Sequence, residues 1–136
     1  INGPNLNLLG EREQSQYGSM SFEKLKENCV QKSSELGLKL EFSQSNIEGE
    51  LVNLIQDARD NFDGIIINAA GYTHTSIAIL DSLKTFTGLI YEVHISNIYN
   101  RENYRRKSYI SLASDGVICG LGLLGYEIAI KAISLN

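Results

Sequence analysis

The feature that most limits what this chain can fold into is the run Ile65, Ile66, Ile67 between Gly64 and Asn68. Successive side chains of a strand point to opposite faces, so an unbroken β-branched apolar run needs cover on both sides. LIYEVH (89–94) is a second buried strand of this kind, and a third is expected near Val117 to Cys119. The first run passes straight into NAAGYTHTS (68–76) and the second closes on His94, so the chain's two histidines both lie at or just past the ends of apolar strands.

Helical periodicity fills the intervals. Residues 21–36 place Phe22, Leu25, Cys29 and Leu36 on one face, with Ser21 as N-cap and Gly37 as the stop. Leu38, Leu40 and Phe42 then alternate with polar residues, as in a half-exposed edge strand over 38–43. A helix over 48–60 follows through Leu51, Val52, Ile55 and Ala58, another from about Thr75 to Lys84, and a last one within LLGYEIAIKAISL. Helices between apolar strands imply parallel pairing through crossovers, hence an α/β fold: a doubly wound parallel sheet of about five strands flanked by helices. Only Ile1 and Asn2 precede GPN, so most of the first strand is expected upstream of residue 1, in keeping with the missing initiator Met. Residues 1–136 fit one domain.

Composition narrows the function classes. A net charge of −4 does not favour a nucleic-acid partner, and no apolar run nears the ~20 residues that span a bilayer. No secretory leader is in view, and Cys29 and Cys119, within apolar periodic segments, read as reduced core thiols of a cytoplasmic protein. No GxxxxGK[ST] loop and no GxSxG elbow occur, and NGPNLNLLG lacks a flavin binder's hydroxyl-rich phosphate cradle. No early acidic cluster marks a receiver domain, and no Cys or carboxylate stands at metal-ligand spacing from either histidine.

Ligands of open parallel sheets bind at the carboxyl ends of the strands, where Asn2 to Asn5, Asn68 to His74 and His94 to Asn97 converge. Acid/base chemistry on a small polar molecule fits these residue types. The glycine-bracketed loop GEREQSQYG (10–18) has the character of a lid and carries Arg12 and Tyr17. A phenol titrating near pH ~10 becomes a base at neutral pH only beside a cation such as Arg12. His94 suits proton donation, with Glu92 two residues earlier on the same strand face to orient it. Asn5 and Asn68 can donate to developing negative charge, and Arg101, Arg105 and Arg106 suit an anionic or hydroxylated substrate. Each residue also has a plainer role: a satisfied strand histidine, a surface tyrosine, a solvated arginine run, and THTS as a helix cap. By spacing alone, a proton-transfer enzyme and a small-molecule binding module both stay open.

NGPNLNLLG, YG, NAAGYTHTS, EVHISN, YRRKSYIS and GLGLLGY, taken in this order and spacing, resemble the type II 3-dehydroquinate dehydratases across essentially the whole chain. The resemblance implies a flavodoxin-like fold and cofactor- and metal-free, reversible dehydration of 3-dehydroquinate to 3-dehydroshikimate in the shikimate pathway. It makes Tyr17 the base, Arg12 the cation favouring its phenolate, Asn5 the enolate stabiliser through an ordered water, and His94, oriented by Glu92, the proton donor. It puts Asn68 and the amides of Ile95 and Ser96 on the substrate carboxylate, and His74 and Arg105 on ring hydroxyls. It further implies that Asp81 reaches a neighbouring subunit's site, in trimers that commonly assemble four at a time into a dodecamer. The alternative is a flavodoxin-like binding module that has lost catalysis. The chain departs from the family in carrying Ala70 where glycine is common, and REQ in the loop where proline often follows the glutamate.

Overall fold

A computed structural model describes residues 1–11 and 20–136. Helix α1 (Phe22–Glu35) starts where Ser21 Oγ accepts from Lys24 N at 3.2 Å, and it buries Leu25 and Cys29. It stops at Gly37, whose φ of 73° lies in the left-handed region. There Leu38 N donates to Ser33 O at 2.8 Å and Gly37 N to Ser34 O at 3.1 Å, satisfying carbonyls the helix leaves open. Helix α2 (Glu48–Ala58) buries Leu51, Ile55 and Ala58, and the acidic Glu48 and Glu50 sit in its first turn, where the helix dipole favours negative charge. Helix α3 (Ile77–Leu83) is capped by Ser76, whose Oγ accepts from Ile79 N at 2.9 Å. The expected capping role of this segment is therefore real, and the preceding residues Ala70–His74 form a 3₁₀ turn. Helix α4 is Leu124–Ser134.

Among the described residues the sheet has three parallel strands in the order β1 (Gly64–Ile67), β2 (Leu89–His94), β3 (Gly116–Cys119). Ile67 pairs with Glu92, and His94 with Cys119. Ile65, Ile67 and Ile90 pack on one face against Leu51 and Ile55 of α2 and Ile79 and Leu83 of α3. Val93 and, less deeply, Ile66 and Tyr91 pack on the other face against Leu25 and Cys29 of α1 and Ala129 and Ile130 of α4. The apolar run thus has cover on both sides, and each fully buried Leu or Ile stabilises the fold by roughly 1.5–3 kcal/mol.

The sheet is shorter than the five strands expected. Leu38, Leu40 and Phe42 are half-buried and Lys39 and Glu41 exposed, so the alternation holds, and Phe42 packs on Phe22 of α1 with ring centroids 5.2 Å apart. No strand forms over 38–43, and pairing there is limited to an isolated parallel bridge between Asn2 and Gln44. A second bridge joins Asn2 to Asn68 at the end of β1. The order along this rim is therefore Gln44, Asn2, β1, β2, β3. Gly3 allows the close approach, since a Cβ there would lie 2.4 Å from Ala69 O.

Of the thiols, Cys29 is buried, with its pKa pushed up to about 12 by burial, whereas Cys119 is only half-buried on β3; both are free. Among the described residues no helix is long and apolar enough to cross a membrane.

Candidate active site

The carboxyl ends of β1 and β2 open into a cleft of about 240 Å³ whose lining includes Pro4, Asn5, His74, His94, Arg101 and Arg105. Asn68, Ile95 and Ser96, just past the ends of β1 and β2, also line it. Eight residues singled out in the sequence are thus brought to one place: Asn5, Asn68, His74, His94, Ile95, Ser96, Arg101 and Arg105. Arg106 is exposed and outside the lining. Asp81 lies on the exposed side of α3 and also outside it. Arg12 and Tyr17 lie outside the described residues.

At the end of β2, Glu92 and His94 share a strand face, as the two-residue spacing requires. Glu92 is 0% exposed, and His94 Nε2 donates to its Oε1 at 2.6 Å. Burial alone pushes the Glu92 carboxyl upward, but hydrogen bonds from His94, Ser111 and Ser108 outweigh it and hold the group below the usual carboxylate range. The ring therefore faces an anion on its Nε2 side, leaving Nδ1 as its second nitrogen in the cleft wall.

His74 is wired differently. Its Nδ1–H donates to Lys107 O at 2.7 Å, so Nε2 is the nitrogen left to accept. Burial lowers its pKa and outweighs the upward push of the hydrogen bond to Lys107 O, with Arg105 also acting downward, so His74 favours the neutral imidazole at pH 7. The two rings lie 6.4 Å apart between centroids and 17° from parallel, with unlike hydrogen-bonding partners.

The end of β1 carries a neutral network. Asn68 Nδ2 donates to Tyr126 Oη at 2.8 Å, and Tyr126 donates in turn to Asn2 Oδ1 at 2.8 Å. Asn2 Nδ2 continues to Ser43 O at 3.1 Å, and Asn68 Oδ1 accepts from Ala70 N at 3.2 Å. Burial drives the Tyr126 phenol far upward, so it stays protonated. Ala70 itself sits at φ 51°, the left-handed conformation that its glycine counterpart would adopt without strain. Asn5 is also left-handed, at φ 65°, with its backbone N–H donating to Asn46 Oδ1 at 2.9 Å.

Arg105 is held by Glu102, Nε to Oε2 at 2.8 Å, and its guanidinium lies 5.1 Å from the centre of the Tyr104 ring. Arg101 Nη1 reaches Ser96 Oγ at 3.4 Å. Two fixed guanidiniums beside a neutral histidine and an amide suit a small molecule bearing a carboxylate and hydroxyls. Among the described residues no three His, Cys, Asp or Glu side chains gather as a metal site would need.

The family model for dehydroquinase class II matches residues 1–134. The chain belongs to the class II dehydroquinases. It is 47% identical over 133 residues to a 3-dehydroquinate dehydratase of Cereibacter sphaeroides, covering 98% of this chain and 90% of that protein. It is 49% identical over 133 residues to one from Prochlorococcus marinus, covering 98% and 92%. The crystal structure of the type II dehydroquinase of Propionibacterium acnes superposes with a TM-score of 0.96 at 39% identity, over 99% of this chain and 93% of that one. As a class II dehydroquinase the chain is a hydro-lyase. Sequence reasoning missed Ser108 and Ser111 on Glu92, Tyr126 on Asn68 and Asn46 on Asn5; the family-like segments YRRKSYIS and GLGLLGY contain three of these four.

Proposed function

We propose that this cleft binds 3-dehydroquinate and reversibly dehydrates it to 3-dehydroshikimate, the shikimate-pathway reaction, with no cofactor. Family membership supplies the reaction, and the observation that carries the site is the buried, ionised Glu92 accepting from His94 at the open end of β2.

Tyr17, with Arg12 favouring its phenolate, takes the proton from the carbon beside the ketone, and the electron pair moves onto the ketone oxygen. Asn5 stabilises that enolate through an ordered water. The enolate then collapses to the enone as the hydroxyl departs, taking a proton from His94 and leaving as water. Glu92 holds the resulting neutral ring by its Nε2–H. Asn68 and the amides of Ile95 and Ser96 bind the carboxylate, while neutral His74 and Arg105 meet ring hydroxyls. A pocket that only bound ligand would have no use for a buried carboxylate charge behind its histidine, which argues against a binding module that has lost catalysis.

Residues 1–136 are one catalytic domain in this reading, and the order Gln44, Asn2, β1, β2, β3 is that of a flavodoxin-like sheet of five segments, 2-1-3-4-5. The exposed position of Asp81 suits a role in a neighbouring subunit's cleft, in a trimer and then a tetramer of trimers. The free thiols Cys29 and Cys119 suit the cytoplasm.

Mixing the protein with 3-dehydroquinate and following the ultraviolet absorbance of the enone tests the reaction. Growth of that band is expected, and its absence at high enzyme concentration overturns the reading. In Tyr17→Phe most turnover should vanish while ligand binding persists; unchanged turnover would remove Tyr17 as the base.

A further inference from the structure

We infer that Ser108 and Ser111 are positioning residues that keep Glu92 a hydrogen-bond acceptor for His94 Nε2–H, so that Nδ1 is the nitrogen through which His94 exchanges its proton with substrate. The inference rests on the proposed role of His94 as proton donor and adds what fixes its tautomer. Glu92 has no access to water, and a carboxyl so placed takes up a proton unless donors surround it. Three donors do: His94 Nε2 at 2.6 Å and Ser108 Oγ at 2.7 Å on Oε1, and Ser111 Oγ at 2.5 Å on Oε2.

The direction of the serine bonds follows from the backbone. Ser108 Oγ already accepts from Ser111 N at 3.0 Å, so its own hydroxyl proton is the one aimed at Glu92. The segment is anchored to the other histidine's turn, through Tyr109 N to Thr73 O at 2.9 Å and Lys107 O to His74 Nδ1 at 2.7 Å. Around the pair, the ionisable groups are His74 from the 70–74 turn, Arg101 and Arg105 along the cleft, and Cys119 opposite His94 on β3; Asp115 bonds Ile90 N farther back on β2. Among the described residues the donors to Glu92 are His94 and the two serines. Without the serines, the carboxyl would hold a proton and donate it to Nε2, placing the ring's single proton on Nδ1 as a weak, neutral acid.

The test compares Ser108→Ala, Ser111→Ala, the double variant and the two Ser→Thr variants. It reads kcat against pH with 3-dehydroquinate, and the ¹⁵N shift of His94 Nε2 in labelled protein. Each alanine should lower kcat by about tenfold, the lower bound for losing a hydrogen bond to a charged group. The Nε2 resonance should move from the protonated toward the unprotonated range, and threonine should restore both readings. In a Glu92→Gln background the alanines should cost nothing further, whereas a merely structural role would still cost activity. Wild-type kcat and an unchanged Nε2 signature in either single alanine variant would overturn the inference. A shifted Nε2 resonance together with a fully active His94→Ala would instead leave the serine role standing and remove His94 as the donor.

Discussion

Two adjacent strands end in the same cleft with polar networks of opposite character. Behind Asn68, at the end of β1, the chain of Tyr126 and Asn2 is neutral throughout and runs into the backbone at Ser43. Behind His94, at the end of β2, the partner is an ionised carboxylate held by two serines. Both networks satisfy buried polar groups, as any interior must. Only the second stores a charge. In the proposed reaction the difference would separate two tasks at one rim, with β1 presenting a fixed amide for recognition and β2 a nitrogen that gains and loses a proton.

The sharpest way to break the comparison is to remove the charge. Glu92→Gln keeps the shape of the network and deletes the anion, and His94→Ala deletes the donor; each should lower kcat by roughly 10²–10⁴-fold in the enone assay. The same assay on Tyr126→Phe should give a much smaller loss, because that change leaves the β2 network intact. Its main cost should be stability. With Asn68 and Asn2 deprived of a buried partner, urea denaturation should report a loss of about 1–3 kcal/mol.

The two ends should also fail at opposite extremes of pH. The Glu92 pKa is depressed in the fold, so its contribution to stability is present above the ordinary carboxylate value of about 4.3 and is lost as pH falls through the lower folded value. The Tyr126 pKa is raised in the fold, so its contribution is complete below the ordinary value of about 10 and is lost as pH rises beyond it. Denaturation midpoints across pH should therefore lose their acid-side slope in part in Glu92→Gln and their alkaline slope in part in Tyr126→Phe. Retention of both slopes would mean that other groups carry them.

The smallest expected effect concerns the turn between the networks. Ala70 holds a left-handed conformation at φ 51°. Ala70→Gly should relieve that strain and raise stability by about 0.5–1 kcal/mol, less than the full left-handed penalty because glycine also gains freedom in the unfolded chain.

What was legible in the sequence followed periodicity. The unbroken isoleucines of β1 and the spacing of Leu51, Ile55 and Ala58 declared a sheet covered on both faces, and the interval from Glu92 to His94 placed both on one side of β2. The alternation over 38–43 was read correctly as burial but not as pairing, because alternation reports which side chains are covered and not which backbone groups bond. The supports of the site were not legible. Ser108 and Ser111 reach Glu92 across 16 and 19 residues, and Tyr126 meets Asn2 across 124, separations that leave no local pattern. The arginine run likewise divided only in three dimensions, with Arg101 and Arg105 lining the cleft and Arg106 facing solvent.

The most direct test of the account is a crystal structure with a ring analogue of 3-dehydroquinate bound. The account predicts the carboxylate of the analogue on Asn68 and the amides of Ile95 and Ser96, and the position of the departing hydroxyl within hydrogen-bond distance of His94 Nδ1 while Nε2 stays on Glu92. A ring seated in this cleft with His94 turned away from it, or with Nε2 as the nitrogen that meets it, would contradict the central claim.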